Sequence, residues 1–126
     1  MGMLFTSRIG YRGEDGLDIT VKSAIGIGKL LAPTWAMVGG VKHWKHYKAL
    51  TPEEYTALYY ELLRSRFRAD NQPFLDLVQR ERLVLLCFCP AGTFCHRYLA
   101  IDILEKIATA NGLTVTRGGE LEVVRK

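Results

Sequence analysis

The run Leu83-Val84-Leu85-Leu86-Cys87-Phe88 contains no polar residue and no alternation, and it leads directly into Cys89-Pro90-Ala91-Gly92-Thr93-Phe94 and then Cys95-His96-Arg97. A strand with one wet face alternates. One that is apolar at every position is covered on both faces, the pattern of a central strand in a parallel sheet. The loop after it turns sharply, because Pro90 fixes φ and donates no hydrogen bond while Gly92 adopts conformations closed to other residues. From Tyr98 onward Leu99, Ala100, Ile103, Leu104, Ile107 and Ala108 recur at helical period on one wide face, and Asn111-Gly112 supplies the stop. Strand, loop and helix in this order place free N–H groups and the positive end of a helix dipole at the carboxyl edge of an open sheet, where anions bind. A first-turn Arg is unfavourable there, so Arg97 is expected to reach a phosphate, a carboxylate or a buried acid. An Arg that faces solvent or braces the loop is the plain alternative.

Working outward, residues 3–9 read as a first strand, leaving through Gly10-Tyr11-Arg12-Gly13-Glu14-Asp15-Gly16. Leu17-Asp18-Ile19-Thr20-Val21-Lys22 alternates at period 2 and predicts a second strand whose exposed or ligand-facing side carries Asp18, Thr20 and Lys22. Gly26-Ile27-Gly28-Lys29 lacks the spacing and the Ser or Thr of a phosphate loop. Residues 30–40 are apolar but interrupted by Pro33 and closed by Gly39-Gly40, which predicts a short helix from Thr34 that buries Trp35. Thr51-Pro52-Glu53-Glu54 is a capping box with Pro at the first helical position, and Tyr55, Leu58, Tyr59, Leu62 and Leu63 continue one apolar face. Asp70-Asn71-Gln72-Pro73 begins another short helix. At the end, Leu113-Thr114-Val115-Thr116-Arg117, Gly118-Gly119 and Glu120-Leu121-Glu122-Val123-Val124 read as strand, turn, strand: an edge hairpin. The expected fold is therefore α/β, a single compact three-layer-like domain over residues 1–126 with a central, at least partly parallel sheet and flanking helices.

Composition narrows the class. The chain has 126 residues, 48% hydrophobic and 24% charged, as in ordinary globular domains. No apolar run reaches the roughly 20 residues that cross a bilayer, and residues 1–8 lack a signal-peptide layout, so a cytoplasmic location without membrane contact is expected. Three cysteines within nine residues are an odd number and do not form a secreted disulfide framework. The net charge of +4 permits nucleic acid as a partner without requiring it, and the composition is equally compatible with a homo-oligomer. Lys42, His43, Trp44, Lys45, His46, Tyr47 and Lys48 interleave bases with aromatics that stack on nucleobases. Arg64, Arg66, Arg68, Arg80 and Arg82 form a second basic group; a solvated surface explains both.

The residues around Cys-His-Arg admit four chemistries. Cys95 at a helix start beside His96 and Arg97 has the surroundings of an activated thiol, although adjacent helical residues point about 100° apart and do not pair merely by adjacency. Cys89 and Cys95 are placed to form a reversible disulfide. Cys87, Cys89, Cys95 and His96 are zinc-ligand types, but Cys87 and Cys89 lack the usual C-x₂₋₄-C spacing, and His43 and His46 lack a third ligand, so neither a metal nor another cofactor is expected. A rhodanese or cysteine phosphatase also cradles an anion in a Cys loop between strand and helix. There an Arg closes the loop at a fixed spacing, whereas five and six residues after Cys89 stand Phe94 and Cys95.

Cys87-Phe88-Cys89 and Phe94-Cys95-His96-Arg97 with the following helix resemble the C-terminal motif of the bacterial and phage family called domain of unknown function 488. Its short phage-type members are also similar in Gly13-Glu14-Asp15, in the segment Leu17-Asp18-Ile19-Thr20-Val21-Lys22-Ser23, in Ala32-Pro33-Thr34-Trp35 and in Gly119-Glu120. The resemblance implies a compact α/β fold and makes Asp18, Lys22, Ser23, Pro33, Thr34, Cys95, His96, Arg97 and Glu120 the leading site candidates. It brings no activity with it.

The leading expectation is a binder of a nucleotide or another small phosphate-bearing ligand, held by Thr20, Lys22, Ser23, Thr34, His96 and Arg97. Asp18, Glu120 and Cys95 are the candidate catalytic groups if turnover occurs. Nucleic-acid binding through residues 42–48 and thiol chemistry at Cys95 are the alternatives. A structural role, with Cys87, Cys89 and Cys95 as small buried residues, is the plainest reading of the cysteines.

Overall fold

The computed structural model describes residues 2–89 and 94–123. Four strands form one all-parallel sheet: β1 (Gly2–Arg8), β2 (Gly16–Asp18), β3 (Arg82–Cys87) and β4 (Val115–Glu120), in the order β2-β3-β1-β4. The continuously apolar run is an inner strand, and Leu83, Val84, Leu85, Leu86 and Cys87 are all buried. Its two faces serve different clusters. Leu83 and Leu85 join Leu4 in the main core, which the helices complete, while Val84 and Leu86 join Phe5 in a smaller cluster with Met3, Ile9, Tyr11 and Leu121. Among the described residues no helical one belongs to that second cluster, and the Arg82 guanidinium lies over its Phe5 ring instead.

Between the strands run a 3₁₀ turn (Gly26–Leu31), α1 (Trp35–Val41), α2 (Pro52–Ala69), α3 (Gln72–Val78) and, after β3, α4 (His96–Ala110). The capping box forms as expected: the Thr51 hydroxyl accepts from the Glu54 amide and the Glu54 carboxylate accepts from the Thr51 amide. Thr51→Ala removes one arm of it and is expected to lower stability by about 1 kcal/mol in urea denaturation. Arg66, far along the same helix, reaches the carbonyls of Lys29, Leu30 and Ala32 and ties down the end of the 3₁₀ turn. Tyr59 donates its buried hydroxyl to the Leu31 carbonyl at 2.7 Å. Among the described residues no helix is long and apolar enough to cross a membrane.

Four local expectations are corrected. The second strand is only Gly16–Asp18, because the Asp18 carboxylate accepts from the Thr20 amide and hydroxyl and from the Ser23 hydroxyl, folding residues 18–23 into a turn. Gly39-Gly40 does not close α1 but lies inside it: the Tyr47 ring and the Lys48 carbonyl pack where side chains would project, and the loop returns over the helix. Trp35 is 46% exposed rather than buried, since Thr34 caps the helix and sets Trp35 at its open end. Finally, residues 115–120 are not the first arm of a hairpin. One strand runs through Gly118-Gly119 alongside β1.

The last of these has a physical origin in register. Leu4 pairs with Arg117 but Phe5 pairs with Gly119, so Gly118 is an extra residue, a β-bulge. A Cβ on Gly118 would overlap the Phe5 ring, and Gly119 has φ +90°. Because side chains alternate along a strand, one extra residue transfers everything after it to the other face. Arg117 faces α4, where it meets Asp102 and Glu105. Only through the bulge does Glu120, paired with Thr6, face the helices as well. The expected turn at residues 90–93 and the end of the expected second arm at Val124 lie outside the described residues.

Candidate functional site

A cavity of about 540 Å³ opens at the carboxyl end of β3, where β2 and the start of α4 also end. Each wall comes from a different element. Cys87, Phe88 and Cys89 leave β3; Thr20, Val21 and Lys22 follow β2; Pro33, Trp35, Val38 and Val41 belong to α1 and its entry; Lys42 and Trp44 follow α1; Pro52 and Tyr55 begin α2; Phe94, Cys95 and His96 begin α4. Most of this surface is aromatic or aliphatic. Trp35 and Trp44 lie 6.4 Å apart with their rings tilted, and Phe94 meets Tyr55 edge to face at 5.3 Å. The Lys22 ammonium lies over Phe88 and the Lys42 ammonium over Trp44, and neither forms an ion pair among the described residues.

The floor carries the sulfurs. Cys87, Cys89 and Cys95 are free thiols whose Sγ atoms all lie within 4.8 Å of one another. The expected obstacle was spacing: Cys87 and Cys89 are separated by one residue, not the two to four usual between paired zinc ligands. Residues i and i+2 of an extended chain share a face, and at the end of β3 the Cys89 sulfur comes to 3.9 Å from that of Cys87. The thiols of Cys87 and Cys95 both donate toward Cys89, which pushes the Cys89 thiol well below the ordinary range and theirs above it. Cys89 is the half-buried thiol of the three, whereas Cys95 is buried, with the Arg97 guanidinium 3.4 Å from its sulfur.

His96 lies beneath Tyr59, edge to face, and its Nε2 is 2.7 Å from the Ile19 carbonyl. Burial pushes its pKa down to about 4, so the ring is neutral. A carbonyl accepts only from a donor, which assigns the proton to Nε2 and leaves the lone pair of Nδ1 facing the sulfurs of Cys87 and Cys95, each at 3.9 Å.

Arg97 is where the structure departs furthest from the expected ligand set. It is fully buried and does not line the cavity. Its Nε and one terminal nitrogen donate to the two carboxylate oxygens of Glu120, both at 3.2 Å; the other terminal nitrogen donates to the Cys89 carbonyl at 2.9 Å and touches the Cys95 sulfur at 3.4 Å. Burial opposes the charge, but Cys95 and Glu120 together hold the guanidinium protonated. Thr6 donates to the same carboxylate at 2.6 Å. Of the three acceptors foreseen for Arg97, the buried acid is the one it meets, and the cations that line the cavity are Lys22 and Lys42.

Thr20, Lys22, Cys95 and His96 therefore meet at the cavity, whereas Asp18, Ser23, Thr34, Arg97 and Glu120 do not line it. Asp18 and Ser23 shape the turn before it, and Thr34 caps α1. The aromatic walls were missed individually, although Trp44 and Tyr47 were legible as part of a stacking stretch and Trp35 sat in a similar motif. No protein-family model, curated protein or solved structure matches the chain.

Proposed function

We propose that the cavity binds a small molecule with a flat aromatic body and an anionic group, a nucleotide or a similar phosphate-bearing compound. The observation that carries this is the lining itself: aromatic faces of Trp35, Trp44, Phe88 and Phe94 around a mouth that holds two ammonium groups without an ion-pair partner among the described residues. Bases stack on such rings at about 1–3 kcal/mol each, and lysine meets phosphate as a point charge. The volume is that of a small-ligand site.

Titration of the chain with nucleoside mono-, di- and triphosphates, followed by tryptophan fluorescence, is expected to quench Trp35 and Trp44. Combining Lys22→Ala with Lys42→Ala is expected to weaken binding of the phosphorylated forms by about 10- to 100-fold, while nucleosides lose little. Absence of quenching by every compound would remove the proposal. The nucleic-acid reading is less favoured, because Trp44, the central aromatic of residues 42–48, lines the cavity rather than a free track. Salt-sensitive affinity for an oligonucleotide that exceeds the affinity for mononucleotides would reverse this preference.

A further inference from the structure

We propose that Cys87, Cys89, Cys95 and His96 bind a zinc ion at the floor of the cavity, with three thiolate sulfurs and the Nδ1 atom of His96 as ligands. Four ligands around Zn²⁺, with sulfur at about 2.3 Å and nitrogen at about 2.0 Å, place neighbouring ligand atoms about 3.5–3.8 Å apart. The structure holds Cys87 and Cys89 sulfurs at 3.9 Å, and Nδ1 at 3.9 Å from both Cys87 and Cys95. The cage thus needs contraction of a few tenths of an ångström on the measured edges, plus inward rotation of Cys89, which is only half buried and so free to turn.

Three further features belong to a metal site rather than to three small buried residues. The ring nitrogen opposite the sulfurs is the one that donates to the Ile19 carbonyl, and metal-binding imidazoles are oriented by such a bond to a backbone carbonyl or carboxylate. The Arg97 guanidinium donates toward the Cys95 sulfur at 3.4 Å, and three thiolates around one divalent ion leave a net negative charge that such a donor stabilises. Soft sulfur with one imidazole in a tetrahedral arrangement selects Zn²⁺ among the common ions. With four protein ligands the site is closed, so its work is structural: it joins the end of β3 to the first turn of α4 and steadies the cavity floor. The inference uses the same cavity as the ligand proposal but does not rest on it, because its probe is the metal alone.

The test uses the full chain, reduced and stripped with a chelator, titrated with Co²⁺ and then Zn²⁺. One equivalent of Co²⁺ is expected to produce the sulfur-to-cobalt charge-transfer absorption and the visible bands of a tetrahedral site, and Zn²⁺ is expected to bleach both. Cys89→Ser is expected to weaken zinc affinity by more than about 100-fold, beyond what loss of an outer partner costs. Its urea midpoint without metal is expected to match that of the metal-free parent, since Cys89 is not a core residue. Combining Lys22→Ala with Lys42→Ala is expected to leave the cobalt spectrum unchanged, which separates this site from nucleotide binding. No charge-transfer absorption in the reduced parent, or an unaltered titration in Cys89→Ser, overturns the proposal.

Discussion

Arg97→Met is expected to lower the stability of the chain by about 3–5 kcal/mol, the cost of leaving half of a buried ion pair behind. The guanidinium is fully buried and joins four elements at once: its own helix α4, the Cys89 carbonyl after β3, the Glu120 carboxylate on β4 and, through that carboxylate, Thr6 on β1. Removing it strands the carboxylate, which is mostly buried and then keeps only Thr6 and Tyr98 as donors among the side chains described. Urea denaturation measures the loss. Glu120→Gln keeps the shape and some of the hydrogen bonds, so a smaller loss is expected, with nucleotide affinity unchanged because neither partner lines the cavity. A stable Arg97→Met protein that had lost only ligand affinity would instead return Arg97 to the role of an anion receptor.

The second large effect is expected at a residue without a side chain. Gly118→Val is expected to cost about 3 kcal/mol, at the upper end of overpacking penalties, because the new atoms would occupy the space of the Phe5 ring. The two substitutions are linked. The extra residue at the bulge brings Glu120 to the helix-facing side of β4, so a variant that irons out the bulge also separates Glu120 from Arg97. Combining Gly118→Val with Arg97→Met is therefore expected to cost less than the sum of the two measured separately, since the second change removes a contact that the first has already weakened. Full additivity would show that the bulge and the ion pair act independently.

Much of the fold was legible in the residues. The inner strand, the capping box, the stop at Asn111-Gly112 and the position of α4 all follow from local rules, because each depends on neighbours within a turn or a strand. The hairpin expectation failed for the opposite reason. Gly118-Gly119 between two β-prone segments satisfies the local rule for a turn, and what makes it a bulge instead is the Phe5 ring, more than a hundred residues away in the chain. Trp35 failed similarly: an apolar residue after a proline is a core residue by default, but here it borders a cavity whose other walls come from five further segments.

The sequence by itself determined where the chemistry gathers, at the junction of the apolar strand and the Cys-His-Arg helix, since periodicity and breakers decide which segments are strands and where they end. Tertiary structure decided what each side chain does there. Strand order, the parity set by one extra glycine and the approach of α4 to the end of β3 aim Arg97 at Glu120, draw three sulfurs toward His96 and leave two lysines over an aromatic mouth. Those outcomes depend on contacts between residues far apart along the chain, whose geometry is set by packing in three dimensions and is not written in any local pattern.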